Sequence, residues 1–193
     1  MDLSGLGEFG LIGLIRERFA SIPSHGCEGI GDDCAVLPLN TTESMVVTTD
    51  LLVEDIHFLR DRITPEQLGR KSLAVNLSDV AAMGAAPVAS FLSLSLPPGV
   101  TGVWIDAFLA GYHALSTQFG VPLLGGDTTS ARDRLTVSVT AIGRAENTHL
   151  KRRGDAKPGD RIFVTGYLGD SAQGLQDMLS GRDTPFIALH NKP

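Results

Sequence analysis

The sequence predicts an α/β (α+β) chain. A β-rich run lies at residues 45–49, period-two alternation recurs at 91–96 and 135–141, and two long helical patterns begin at Thr64 and Thr101. Glycine or proline punctuates most of the junctions between them.

Taken in order, Phe9, Ile12, Ile15 and Phe19 repeat at helical spacing around Arg16, Glu17 and Arg18, so a short amphipathic helix is expected, ended by Pro23. Met45-Val46-Val47-Thr48-Thr49 reads as a strand that stops at Asp50, which places the aspartate at a strand end. Thr64-Pro65-Glu66-Gln67 combines a threonine cap, proline at the first helical position and glutamine three residues after the cap. The helix it starts runs to about Met83, where Gly84 closes it, and it is apolar almost all round, so burial is expected. The strand at 91–96 alternates leucine with serine. A second long helix carries Trp104, Phe108, Leu115 and Phe119, capped by Thr101 and stopped by Gly120. Pro122-Leu123-Leu124 then leads into Gly125-Gly126-Asp127-Thr128-Thr129, and another strand follows at 135–141.

Past Arg144 the chain turns polar and basic, through Lys151-Arg152-Arg153, and a domain junction is expected there. It divides residues 1–148 from residues 149–193. The second part begins with a strand at 161–165 and a helix at about 171–179. A lone strand and helix cannot bury a core, so this second domain is expected to be incomplete.

With 42% hydrophobic and 20% charged residues in 193, the chain has the composition of a globular domain plus the start of another. A net charge of −6 excludes a nucleic-acid binder that works through a basic face. A polyanionic substrate remains admissible where metal cations supply positive charge. Cys27 and Cys34 are too few for a disulfide framework and lack CxxC spacing. No apolar run reaches about 18 residues, and Met1-Asp2-Leu3-Ser4-Gly5 lacks a basic leader. Neither membrane span nor signal peptide is expected, and the location expected is cytoplasmic.

Four acidic segments share one form. They are Gly29-Ile30-Gly31-Asp32-Asp33, Thr48-Thr49-Asp50, Asn76-Leu77-Ser78-Asp79 and Gly125-Gly126-Asp127-Thr128-Thr129. Magnesium takes one or two carboxylates together with substrate phosphates and water. Glycines beside those carboxylates let backbone amides approach phosphate oxygens. Singly, three of the four also fit turns or caps. Asp79 stands apart because an unpaired carboxylate on a buried helix is expensive. His57 and the basic run at Arg153 have structural readings of their own, a lone histidine and a solvated linker. Gly166-Tyr167-Leu168-Gly169-Asp170-Ser171 enters a helix, but no P-loop pattern occurs.

Taken together and in this order, the segments resemble the thiamine-monophosphate kinases. The matching stretches are Gly29 through Ala35, Thr48-Thr49-Asp50, His57-Phe58, Lys71 through Gly84, the Gly125 segment, and Ala156-Lys157-Pro158-Gly159-Asp160 with Val164-Thr165-Gly166. The resemblance implies the amino-terminal fold shared with aminoimidazole ribonucleotide synthetase: a mixed sheet, helices on one face, and dimerisation through the sheet. It implies ATP- and Mg2+-dependent phosphorylation of thiamine monophosphate to thiamine diphosphate. By position, Asp33, Thr48, Thr49, Asp50, Asp79 and Asp127 would hold magnesium. Gly126, Asp127 and Arg153 would contact ATP, and His57 would contact the thiamine phosphate. No nucleophile or general base is expected, since phosphoryl transfer between polyanions is carried by positioning and neutralisation. The family's second domain supplies further acidic ligands, so residues 1–193 alone are expected to be inactive or nearly so. Two alternatives stay open: a superfamily relative acting on another substrate, and a non-catalytic dimerisation module. Among such relatives, a selenophosphate synthetase is disfavoured because no reactive cysteine or selenocysteine segment lies near the amino terminus, and Cys27 is only a few residues before the first aspartate loop.

Overall fold

A computed structural model describes residues 5–191; Met1-Asp2-Leu3-Ser4, part of the segment searched for a leader, lies outside them. Five strands, β1 (Ala35–Pro38), β2 (Glu43–Val53), β3 (Ala86–Leu96), β4 (Leu123–Ser130) and β5 (Thr136–Glu146), form one mixed sheet in the order β1-β2-β5-β3-β4. β3 and β4 run parallel, and the other pairs are antiparallel. The parallel pair needs a crossover, which is supplied by a helix, α3 (Gly102–Phe119).

Helix α2 (Pro65–Ala82) lies on one face of the sheet, and α3 packs against α2. The capping expected at Thr64 forms in full: its hydroxyl accepts from Gln67 N at 3.1 Å, and its own N–H donates to Gln67 Oε1 at 3.0 Å. Thr101 caps α3 through Trp104 N, and Gly120 ends it in the left-handed region. The two helices meet backbone to backbone. A Cβ on Gly69 would lie 1.9 Å from Phe108 O, and one on Gly111 would lie 1.9 Å from Glu66 O. Leu68, Leu73, Phe108, Tyr112 and Leu115 join Leu92, Leu94, Val137 and Val139 in the main core.

Three local expectations change. Asp50 is not at a strand end: β2 continues through it to Val53, because β5 offers a ladder along the whole length. β4 likewise contains the Gly125-Gly126-Asp127-Thr128-Thr129 segment instead of ending before it. No strand forms at 161–165. Ile162 and Phe163 are 98% and 85% exposed, with no neighbouring strand among the described residues to pair them. The first helix, α1 (Gly7–Phe19), forms as expected, yet buries none of its residues. After β5, the chain passes a short 3-10 turn at Arg153–Asp155 and adds α4 (Asp170–Leu179) and α5 (Pro185–Asn191). α5 is tied to the first part of the chain where Asn191 Nδ2 donates to Arg62 O at 3.1 Å.

Candidate functional site

Strand alternation decides which of the β2 residues can act together. Val46, Thr48, Asp50 and Leu52 face α2, whereas Thr49 faces the opposite side. Thr49 Oγ1 donates to Val139 O at 3.2 Å and accepts from Thr140 Oγ1 at 3.1 Å. The threonine pair therefore does not act as a unit. Thr48 is buried and donates to Asp79 Oδ2 at 2.7 Å. That bond fixes Asp79, which is only partly buried because α2 rises toward solvent here; Ser78 and Ala82 are exposed.

Asp50 is held at the backbone. Its N–H donates to Asn76 Oδ1 at 3.2 Å, and Asn76, fully buried, donates its own amide to Ser72 O at 3.1 Å. Asn76 thus joins sheet and helix beneath the carboxylates. Its signal in the sequence was an amide on an apolar helix, one turn before Asp79. Burial raises the Asp50 pKa above its ordinary value, the Asp79 charge raises it further, and His57 partly offsets both.

The loop before β1 brings in the remaining acids. Asp32 Oδ1 accepts from Asp33 N at 3.0 Å, and Arg153 closes over the loop, bonding Asp33 through its guanidinium and Asp32 through its backbone N–H at 3.2 Å. Next to it, Arg152 grips Glu28 with two bonds of 2.6 Å, clamping the segment after β5 onto this loop. Cys34 reports the convergence. Its thiol is pushed up to about 12, first by burial and then by the charges of Asp79, Asp33, Asp32 and Asp50. The geometry beneath this is two pairs: Asp79 held by Thr48 beside Asp50, and Asp32 with Asp33 held by Arg153.

Two expected members do not join them. Asp127 and Gly126 lie on β4, three strand spacings from β2, or about 14 Å at the usual ~4.8 Å separation. They line a separate groove of about 660 Å³ with Leu92, Leu94, Ile105 and Leu109. Arg153 sits with Asp32 and Asp33, so the expected nucleotide trio of Gly126, Asp127 and Arg153 is split within one chain. Sequence order cannot reveal this separation, because β5 and β3 insert between β2 and β4.

His57 stands on the other flank of Asp50. Its Nδ1 accepts from Val53 N at 3.0 Å, which in the neutral ring leaves the proton on Nε2. The loop carrying it is pinned on both sides, by Glu54 to Arg60 at 2.9 Å and by Asp55 to Arg134. A pocket of about 230 Å³ opens there, lined by His57, Phe58, Leu59, Leu175, Met178 and His190 among others.

Among the described residues, no three His, Cys, Asp or Glu side chains form a ready-made metal cage. The donor set is nonetheless all oxygen, and its crowded charge lacks enough cations. That suits a hard divalent ion completing its coordination with phosphate and water.

Fold and site together define an α/β domain that gathers aspartates beneath one arginine and beside a histidine-lined pocket. The family described as AIR synthase related protein, N-terminal domain, matches residues 31–145, and the chain belongs to it. The chain is 41% identical over 196 residues to a thiamine-monophosphate kinase of Bacillus subtilis, covering 97% of this chain and 60% of that protein. It is 46% identical over 172 residues to a thiamine-monophosphate kinase of Salmonella typhimurium, covering 88% and 51%. The structure of AaThiL complexed with AMPPCP and TMP superposes with a TM-score of 0.89 at 34% identity, covering 100% of this chain and 61% of that one. The chain thus spans about 60% or less of the length of these relatives. No described helix is long and apolar enough to cross a membrane.

Proposed function

We propose that this chain forms the metal- and ATP-binding part of a kinase that phosphorylates thiamine monophosphate to thiamine diphosphate with ATP and Mg2+. The observation that carries the reading is geometric: Thr48 holds Asp79 beside Asp50, which Asn76 ties to the same helix, and Arg153 closes on Asp33 in the neighbouring loop. Likeness to proteins named thiamine-monophosphate kinase, and to a structure holding AMPPCP and TMP, supports the choice of substrates.

In this reading Asp33, Asp50 and Asp79, with the Thr48 hydroxyl, hold magnesium. The metal supplies the positive charge that two polyanions need in order to approach. Arg153, on the rim, is placed to meet a phosphate of ATP in exchange for its bond to Asp33. His57 donates from Nε2 to the thiamine phosphate, with the apolar pocket behind it receiving the rings. Residues 1–148 form the metal and dimerisation domain and 149–193 the beginning of the second. The sheet face opposite α2 carries Met45, Val47, Leu51 and Ile142 with no described helix packed on it, which suits a homodimer joined through the sheet; the location proposed is the cytoplasm. Thr49, Gly126 and Asp127 would enter such a site only through a second copy or a closure of the chain.

The test is ADP formation by the full-length protein. It should require Mg2+ and rise with thiamine monophosphate. Turnover that ignores this substrate contradicts the reading.

A further inference from the structure

Lys71 is the one charged side chain that α2 buries facing the His57 loop, and the site as described does not use it. It is 9% exposed, and among the described residues no carboxylate lies within ion-pair distance. Its ammonium makes one bond, to His57 O at 3.3 Å. Burial holds its pKa below the ordinary lysine range, and burial first and the Lys71 charge second lower that of His190, which lines the pocket beside His57. A cation buried without a counter-charge is a cost that a leucine or methionine would avoid. The core around it offers no structural return for that cost, since Leu68 and Leu73 already seal α2 against the sheet and α3.

We propose that Lys71 is a positioning residue for the proposed reaction, fixing the His57 carbonyl so that the imidazole is presented to the substrate in a single orientation. The inference rests on the functional reading above for its substrate, though not for its geometry. Three ties converge on one residue. Val53 N–H fixes the ring at Nδ1, Val53 O accepts from the His57 N–H at 2.9 Å, and Lys71 fixes the carbonyl. With the turn held at both ends, the Nε2 proton is committed to the pocket. Without the ammonium, the carbonyl is released and the residue loses one of the three ties that fix its ring.

The first measurement needs no activity. In 15N-resolved spectra of the histidine side chains, the wild type should show His57 as one Nε2–H tautomer, and K71M should give averaged ring signals. Unchanged His57 signals in K71M would overturn the proposal, whatever the substrate proves to be. The second measurement uses the full-length protein. K71M should raise KM for thiamine monophosphate about tenfold, as expected for losing one charge-assisted hydrogen bond, with KM for ATP little changed and thermal stability equal or higher, since a buried unpaired charge is removed. K71Q, which keeps a neutral donor and guards against misfolding of K71M, should recover part of that loss. Equal changes in both KM values would indicate a merely structural role and overturn the proposal. A wild type that ignores thiamine monophosphate would sink the functional reading alone, and the ring spectra would still decide the role of Lys71.

Discussion

Replacing Asp50 with Asn should stabilise the metal-free chain while removing a proposed metal ligand. Thr48 and Asp50 are two residues apart on one strand face, and Thr48 donates to Asp79 at 2.7 Å. At about 3.3 Å rise per residue, the two carboxylates lie roughly 7 Å apart. With an effective dielectric of about 20 they repel by roughly 2 kcal/mol, or about 1 kcal/mol after allowing for partial exposure. The backbone bond from Asp50 N to Asn76 survives the change, so the substitution removes little else. The sign follows from linkage. Burial first and Asp79 second raise the folded carboxyl above its unfolded value, so the folded state holds this proton more tightly. Wild type therefore loses stability as pH climbs from the ordinary carboxylate range through the raised one, and D50N does not. Thermal unfolding in a chelating buffer should show D50N about 3 °C more stable at pH 7, with the difference fading at low pH. A less stable D50N, or a difference that ignores pH, would refute the reasoning.

The helix crossing leaves no room for a side chain at either of its glycines. G111A should cost about 3 kcal/mol or more in urea unfolding, since a methyl group there meets Glu66 O at 1.9 Å and α2 and α3 must separate. A cost below about 1 kcal/mol would mean that the helices do not meet as described. Cys34, pushed up to about 12, should react with a thiol reagent at pH 8 about a thousandfold more slowly than an ordinary thiol, while the half-exposed Cys27 reacts first. Two thiols of equal rate would contradict the buried, anion-surrounded placement.

Much of this was legible in the residues. The caps at Thr64 and Thr101 and the stops at Gly84 and Gly120 locate both long helices, because capping chemistry is local. The alternation at 135–141 locates β5. The membership of the site was less legible, because it depends on strand order. Asp127 carries the same Gly-Gly-Asp signature as a close ligand would, yet β5 and β3 stand between it and Asp50. The separation of Thr49 from Thr48 and Asp50 was readable in principle. A two-residue period puts them on opposite faces once the strand is seen to run on to Val53. Lys71 had a signal as well, since it sits among the apolar residues of α2 with no acidic partner at helical spacing, and Glu66 lies five residues before it. The strand expected at 161–165 failed for the opposite reason. Its apolar residues satisfy the local pattern, but a strand also needs a ladder, and no described segment provides one.

The central claim is that Asp33, Asp50 and Asp79 form one cation site in the folded chain. Mn2+ can stand in for magnesium, and its paramagnetic broadening of backbone amide signals maps that site directly. Broadening should be strongest at residues 31–34, 48–50 and 78–80, and weaken in D79N. Broadening centred elsewhere, or identical in D79N, would contradict the account.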